Sequence, residues 1–160
     1  ATERFVIDYG KLYGIPTVVT RFFNVYGPKQ NPKSPYSGVL SIISKSYKSN
    51  STFVLFGDGS QTRDFVYVID VVDVLQKLAY EKCAKYDVYN VATGQSYSLN
   101  QVIRKMNQIT GKVLDVEYSI PRKGDIQKSI ADIQKMETIT HETFTSLQNG
   151  LEKYMNSLVQ

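Results

Sequence analysis

Two segments carry the residue types best suited to bind a phosphorylated ligand that also has a flat base. The first places Arg63 shortly after Phe56, and the second, residues 121–125, contains Arg122 and Asp125. The planar guanidinium of arginine can donate paired hydrogen bonds to phosphate oxygens. An aromatic ring can stack on a base, and a carboxylate can accept hydrogen bonds from a ribose diol. The two segments together therefore predict a site for an anionic, nucleotide-like ligand.

Each segment also has a purely structural interpretation. Arg63 is followed by Asp64 and by Asp70, so it could form a surface ion pair with either carboxylate. Residues 121–125 contain a glycine between charged side chains, which is also typical of a solvated turn. The sequence alone leaves both alternatives open.

A third candidate is Asn24, which follows an apolar run and precedes the break at Gly27-Pro28. The carboxyl end of a strand is where an open α/β sheet places its ligand-binding groups. The amide of Asn24 could equally satisfy backbone groups of the turn. Residues 89–94 form a similar but weaker strand-and-turn pattern.

The composition excludes several classes of site. The 160 residues contain one cysteine, Cys83, and one histidine, His141, so a disulfide framework and a cysteine-based zinc site are ruled out. We expect no metal site, and we expect Cys83 to be a half-buried small residue and His141 a surface or capping residue. The glycines at 57 and 59 have the wrong spacing for a dinucleotide-binding loop.

Charge and hydropathy favour an ordinary cytoplasmic protein. The formal net charge is +4, and the basic residues are spread along the chain rather than clustered, which is weak support for nucleic-acid binding. No apolar run approaches the roughly 20 residues of a membrane span. We expect neither a nucleic-acid nor a membrane partner. The first residue, Ala1, already begins a helical pattern, so we expect the sequence to be a piece of a longer protein.

Alternating strand and helix patterns predict an α/β fold with some parallel pairing, in one structural unit. A helix should cover 2–13, with Phe5, Tyr9 and Tyr13 on one face, and end at Gly14. The predicted strands are a largely buried one at 17–23 and four others at 53–56, 65–68, 86–91 and 113–118. Two further helices are predicted from their apolar faces: one with Val39, Ile42, Ile43 and Tyr47, and one capped by Asp70 with Val71, Val74, Leu75, Leu78 and Ala79 inward. The last two helices are predicted from capping boxes, at Ser98 and Gln101 and at Thr145 and Gln148.

In this order the segments resemble the extended short-chain dehydrogenase/reductase family, the NAD-dependent nucleotide-sugar epimerases and dehydratases. The resemblance covers nearly the whole chain, and UDP-glucose 4-epimerases are the most similar members. It departs at Ala92, where the family has a glycine, and at 140–144, where a Gly-Trp-x-Pro segment is missing. The runs that carry it are RFFNVYGP at 21–28, SPYSGV at 34–39, FGDGSQTRDFVYV at 56–68 and PRKGD at 121–125.

The resemblance implies the C-terminal part of a Rossmann-type fold with a small mixed α/β substrate-binding region. Residues 1–35 would be a remnant of the Rossmann domain, and 36–160 would be mainly the nucleotide-sugar-binding region. The family's Tyr-x-x-x-Lys pair and its glycine-rich NAD loop would lie upstream, so no catalytic residue is expected in this chain, which alone should be inactive.

The resemblance also implies roles for individual residues. All of them concern the nucleotide-sugar or NAD. Asn24 would contact the diphosphate or the hexose, Phe22 would lie near the nicotinamide, Ser37, Gly38 and Val39 would line the nucleotide pocket, Phe56 would pack on the uracil, Arg63 and Arg122 would clamp the diphosphate, and Asp125 would bind the ribose hydroxyls.

The expected function is that of the substrate-binding half of an NAD-dependent 4-epimerase acting on UDP-glucose, UDP-galactose or their N-acetyl forms through a 4-keto intermediate. The alternatives are a nucleotide-sugar 4,6-dehydratase, a non-catalytic nucleotide-sugar-binding module, and a basic α/β domain for nucleic acid or protein. We expect a homodimer for the intact protein. We also expect the isolated chain to self-associate through the exposed edge of the strand at 17–23.

Overall fold

The computed structural model describes residues 2–31, 34, 37–80, 85–140 and 143–158. Cys83 and His141 lie outside these residues, as do Pro35 and Tyr36 of the 34–39 segment. The predictions that concern them therefore remain predictions.

Helices and strands alternate along the chain, as predicted. The helices are α1 (Thr2–Tyr13), α2 (Val39–Ser49), α3 (Val68–Tyr80), α4 (Leu99–Thr110), α5 (Gln134–Glu137) and α6 (Leu147–Ser157), and the strands are β1 (Val18–Phe22), β2 (Asn24–Tyr26), β3 (Phe53–Phe56), β4 (Thr62–Tyr67), β5 (Asp87–Val91), β6 (Ser96–Ser98) and β7 (Val116–Ser119). None of these helices reaches the length and apolarity that a bilayer crossing demands.

The described strands form three small sheets, which are largely parallel. β1 pairs with β5, β2 with β4, and β3 with β7, all in parallel, while β6 is antiparallel to β4. Because β3 and β7 are parallel and in register from Phe53 and Val116 to Phe56 and Ser119, the loops that follow them leave the same edge. This pairing brings residues 121–125 next to Phe56.

Two clusters of buried side chains form the core. The larger joins α2, α4 and α6 to β3 and β4, and it includes Leu40, Ile43, Leu55, Val102 and Tyr154. The smaller lies between α3, β5 and α5 and includes Val71, Leu78, Val91 and Met136. The larger cluster supports the elements that border the candidate site.

Several local predictions are confirmed. Gly14 follows α1 in the left-handed region, with φ 67°. Ser98 and Gln101 form a reciprocal capping box at the start of α4, whose apolar face is buried. Residues 53–56 form β3 with the predicted limits.

The prediction of a largely buried strand at 17–23 is wrong. β1 stops at Phe22, and none of its residues is buried. Among the described strands it pairs only with β5, so its other edge is open. The Phe22 side chain at its carboxyl end is 51% exposed.

Two predicted helix caps are also wrong. Asp70 lies inside the first turn of α3, because β4 runs directly into that helix. Its carboxylate instead accepts hydrogen bonds from the backbone N–H of Thr145 (2.8 Å) and from its hydroxyl (2.8 Å). Since Thr145 is engaged there, Ser146 caps α6 by accepting from the N–H of Asn149.

Some apolar positions face solvent although the helical period placed them inward. Ile42, Leu75 and Ala79 are exposed, because the neighbouring positions on their helices point into the core. The strands predicted at 65–68 and 113–118 are shifted to Thr62–Tyr67 and Val116–Ser119. β2, β6 and α5 were not predicted, since elements of three or four residues show no period.

Candidate functional site

A cleft of about 450 Å³ lies between the start of α2, the end of β3 and the 122–125 turn. Its wall collects the predicted site residues that are far apart in the sequence. They are Ser37, Val39, Phe56, Arg63, Arg122 and Asp125. The structure thus places in one cleft the cations, the ring and the carboxylate that the sequence suggested for a nucleotide-like ligand.

The turn that carries Arg122 and Asp125 is fixed by its own backbone. The N–H of Asp125 donates to the carbonyl of Arg122 (3.2 Å), which closes a four-residue turn. Gly124, the third residue, has φ 83°, the left-handed conformation that a type II turn requires there. The turn places Asp125 against β4 and leaves Arg122 beside β3.

Arg63 is held firmly at one side of the cleft. Its guanidinium donates to the carbonyls of Thr62 (2.9 Å) and Ile126, and to Oδ1 of Asp125 (2.7 Å). Its side chain is only 17% exposed. The alternative in which Arg63 pairs with Asp64 or Asp70 is wrong, and for Asp64 the reason is that successive strand residues point to opposite faces.

Arg122 is bound quite differently. The central carbon of its guanidinium lies 3.8 Å from the centroid of the Phe56 ring, the geometry of a cation–π contact. The side chain is exposed and donates no hydrogen bond to another residue that the structure describes. The ring predicted to receive a base is therefore covered by the arginine predicted to bind phosphate.

The cleft favours an anion. Its wall contains two cationic side chains, Arg63 and Arg122, and one carboxylate, Asp125, so positive charge is in excess. A second cleft of about 670 Å³ shares Phe56, Gln61 and Asp125 and continues toward Asp58. There the hydroxyl and the backbone N–H of Ser60 hydrogen-bond Asp58 and lower the pKa of its carboxyl, so this exposed side chain stays anionic. The two cations therefore line the 450 Å³ cleft, and Asp58 adds a negative charge to the second one.

Three predicted site residues do not line the cleft. Asn24 is the first residue of β2, and its Nδ2 donates a hydrogen bond to the carbonyl of Asp64 in β4 (3.0 Å), so its acceptor is a strand carbonyl and not a backbone group of the turn. Phe22 lies at the carboxyl end of β1. Gly38 is the N-cap residue of α2, between Ser37 and Val39 of the cleft wall.

Asp64 is an organising residue that the sequence reasoning missed. It is completely buried, and its carboxylate accepts from the N–H (2.9 Å) and hydroxyl (2.7 Å) of Thr93 and from the N–H groups of Gly94 (3.0 Å) and Ala131 (3.3 Å). It therefore ties β4 to the turn after β5 and to the segment that continues from Asp125. An acid directly before the apolar residues Phe65 and Val66 of the same strand was the available sign.

Gln61 is a second missed residue. It is buried, and its Nε2 donates to the carbonyl of Phe56 (2.8 Å). This bond fixes the end of β3, and with it the backbone that carries the Phe56 ring. No sequence pattern near the glycine turn at 57–59 predicts this hydrogen bond.

Comparison with known proteins identifies the family. Residues 1–92 match the model of the NAD-dependent epimerase/dehydratase family. The chain belongs to this family. Its relatives include the UDP-glucose 4-epimerase of Mycolicibacterium smegmatis, which is 32% identical over 154 residues, or 96% of this chain and 49% of the relative.

Solved structures agree with this assignment. The UDP-glucose 4-epimerase of Thermotoga maritima, solved with UDP-glucose, is 35% identical with a TM-score of 0.90 over 99% of this chain and 50% of that chain. The UDP-N-acetylglucosamine 4-epimerase of Methanobrevibacter ruminantium M1, solved with UDP-N-acetylmuramic acid, is 29% identical with a TM-score of 0.91 over 98% and 50%. The chain thus spans about half the length of these proteins.

The family is NAD dependent, and the chain offers one described feature that suits this cofactor. The Phe22 ring lies half-exposed at the carboxyl end of a parallel strand, the position at which such sheets receive ligands. The glycines at 57 and 59 do not have the spacing of a loop that holds the pyrophosphate of a dinucleotide.

Proposed function

We propose that this chain is the C-terminal, substrate-binding half of an NAD-dependent nucleotide-sugar epimerase. The observation that carries the proposal is the meeting of Phe56, Arg63, Arg122 and Asp125 in one cleft. These groups match the parts of a UDP-sugar: a flat base, two phosphates and a ribose diol. The names of the similar proteins, which are epimerases of UDP-sugars, support the same substrate class.

Each side chain has a distinct task in this proposal. Phe56 stacks on the uracil, and Asp125 accepts hydrogen bonds from the ribose hydroxyls. Arg63, which is fixed in place, and Arg122, which is exposed, bind the diphosphate. Ser37 and Val39 at the start of α2 line the nucleotide side of the cleft.

Two of the residues outside the cleft, Asn24 and Phe22, belong to the sugar side in this proposal, whereas Gly38 belongs with Ser37 and Val39 to the nucleotide side. Asn24, the first residue of β2, lies two positions after Phe22, the last residue of β1. In this proposal the Asn24 amide borders the hexose or the diphosphate, and Phe22 borders the nicotinamide. Bound NAD would supply the hydride-transfer chemistry of the reaction. The chain's own contribution is to hold the sugar in position for that exchange, which fits UDP-glucose and UDP-galactose 4-epimerisation.

A nucleotide-sugar 4,6-dehydratase is the second candidate. A trifunctional protein of Arabidopsis thaliana whose name includes UDP-glucose 4,6-dehydratase is 30% identical to this chain over 162 residues. Both enzyme classes bind the same substrate class in the same cleft. Incubating the full-length gene product with UDP-glucose and identifying the product as UDP-galactose or a dehydrated 4-keto sugar decides between them.

Replacing either arginine tests the cleft itself. Arg63→Ala and Arg122→Ala in the full-length protein should each weaken UDP-glucose binding by about 1.5–3 kcal/mol, the range for hydrogen bonds to charged groups. Isothermal titration calorimetry measures the loss. Lys123→Ala is the matched control, because Lys123 is an exposed cation in the same turn that does not line the cleft.

The two outcomes separate clearly. If the arginine variants lose affinity and Lys123→Ala does not, the cleft binds the diphosphate. If both arginine variants bind UDP-glucose as tightly as the wild type, the assignment of this cleft is wrong.

A further inference from the structure

The two arginines of the cleft differ in how they are held. Arg63 has three hydrogen-bond partners in the protein, among them the carboxylate of Asp125. Arg122 has the Phe56 ring and, among the described residues, no hydrogen-bond acceptor. Displacing Arg122 therefore breaks one weak contact, whereas displacing Arg63 breaks an ion pair and two hydrogen bonds.

The weak contact lies where a planar ligand would bind. A guanidinium 3.8 Å from the ring centroid occupies the face of Phe56. A base that stacks on this face needs nearly the same separation from it. The guanidinium and a base therefore cannot occupy that face together.

The turn fixes the backbone of Arg122 but leaves its guanidinium exposed. Its backbone is closed by the hydrogen bond from the Asp125 N–H, and Asp125 is fixed by Arg63. The side chain beyond it is exposed. Rotation about side-chain bonds alone can thus carry the guanidinium away from Phe56 while the turn stays in place.

We propose that Arg122 is a specificity-determining residue that covers Phe56 against nucleosides and uncovers it for nucleoside diphosphates. The proposal rests on the proposed function, since it requires that the base stacks on Phe56. A nucleoside must displace the guanidinium but has no phosphate oxygens to accept its hydrogen bonds. A nucleoside diphosphate offers phosphate oxygens to the displaced guanidinium, which then forms charge-assisted hydrogen bonds.

This arrangement makes opposite predictions for two ligands. Removing the Arg122 side chain uncovers the ring, so uridine should bind more tightly, by roughly two- to fivefold, the equivalent of an exposed cation–π contact. The same change removes a diphosphate ligand, so UDP should bind at least about tenfold more weakly. A residue that only binds phosphate would leave uridine unaffected.

The experiment is a calorimetric titration of the full-length gene product with uridine and with UDP. The proteins are the wild type, Arg122→Ala and Lys123→Ala. We expect Arg122→Ala to raise the affinity for uridine and lower that for UDP, and Lys123→Ala to leave uridine binding unchanged.

Proton NMR supplies a second readout that needs no nucleoside affinity. The ring current of Phe56 should shift the side-chain resonances of Arg122 upfield in the free protein, with Phe56→Leu as the reference. Adding UDP should move them back toward the reference. An unshifted Arg122 in the free protein, or a shift that saturating UDP leaves in place, overturns the proposal.

The failures of the two proposals are distinguishable. If wild-type protein binds UDP but Arg122→Ala leaves uridine binding unchanged or weaker, the specificity role of Arg122 is wrong and the nucleotide cleft stands. If wild-type protein binds no UDP, the proposed function fails, and the role of Arg122 fails with it.

Discussion

The amino-terminal unit and the β4 region differ in which side chains they bury and which they expose. In the amino-terminal unit, which is α1 and β1, the charged pair Arg21 and Glu3 lies on the surface, and Phe5 and Tyr9 are exposed. In the β4 region, which is β3, β4, β7 and the 122–125 turn, Asp64 is completely buried and the side chain of Arg63 is partly buried.

The difference separates a region that buries its polar groups with partners from one that leaves apolar side chains exposed. The β4 region satisfies its buried polar groups within the described residues and covers the larger core. The amino-terminal unit leaves one edge of β1 open and a stack of aromatic rings on α1 facing outward. The proposed nucleotide cleft is therefore formed by the β4 region together with the start of α2.

A pair of carboxylate substitutions gives the largest test of this contrast. Asp64→Ala leaves the donors of Thr93, Gly94 and Ala131 without their acceptor, so it should lower the free energy of unfolding by ~3 kcal/mol or more. Glu3→Ala removes an exposed partner of Arg21 and should leave stability nearly unchanged. Urea unfolding followed by circular dichroism measures both. Equal losses for the two variants would remove the distinction between the regions.

A pair of glycine substitutions should show a smaller difference in the same direction. Gly14 (φ 67°) has open space where a Cβ would lie, so Gly14→Ala pays only the left-handed backbone cost of about 1–2 kcal/mol. Gly59 (φ 77°) pays this cost as well, and its Cβ would overlap the amide of Asn100, which donates to the carbonyl of Asp58 (2.8 Å). Thermal unfolding should therefore rank Gly59→Ala below Gly14→Ala. The reverse order would mean that the 57–59 turn is the more adaptable one.

Self-association should involve the amino-terminal unit and affect folding least. We expect the isolated chain to associate through α1 and the open edge of β1, so Tyr9→Lys should shift the population toward monomer in sedimentation experiments. Val113→Lys is the matched control, because Val113 is also exposed but lies near β7. A wild-type chain that stays monomeric at high concentration, or an equal effect of both variants, contradicts this expectation.

The sequence predicted those features that local chemistry controls. The capping box at Ser98, the limits of β3 and the apolar face of α4 each depend on residues a few positions apart. The members of the cleft were predicted by residue type and by resemblance, and the structure brings Phe56, Arg63, Arg122 and Asp125 together. Their roles toward a ligand remain predictions.

The features that were missed depend on partners far along the chain. Aspartate is a residue type common at helix caps, but Asp70 instead bonds Thr145, and no local pattern predicts that contact. The same holds for Asp64 and Ala131. The exposure of β1 was missed because β-branched and aromatic residues indicate a strand without indicating how many neighbours it has.

The strand pairing has a consequence for how the chain reaches its fold. Among the described strands, none pairs with the strand next to it in sequence. Phe53 of β3, for example, pairs with Val116 of β7. Long loops must close before such contacts form, which slows folding. During synthesis β3 is therefore complete well before its partner has left the ribosome, and the apolar strand that carries Phe56 stays open to wrong pairing or chaperone capture until then.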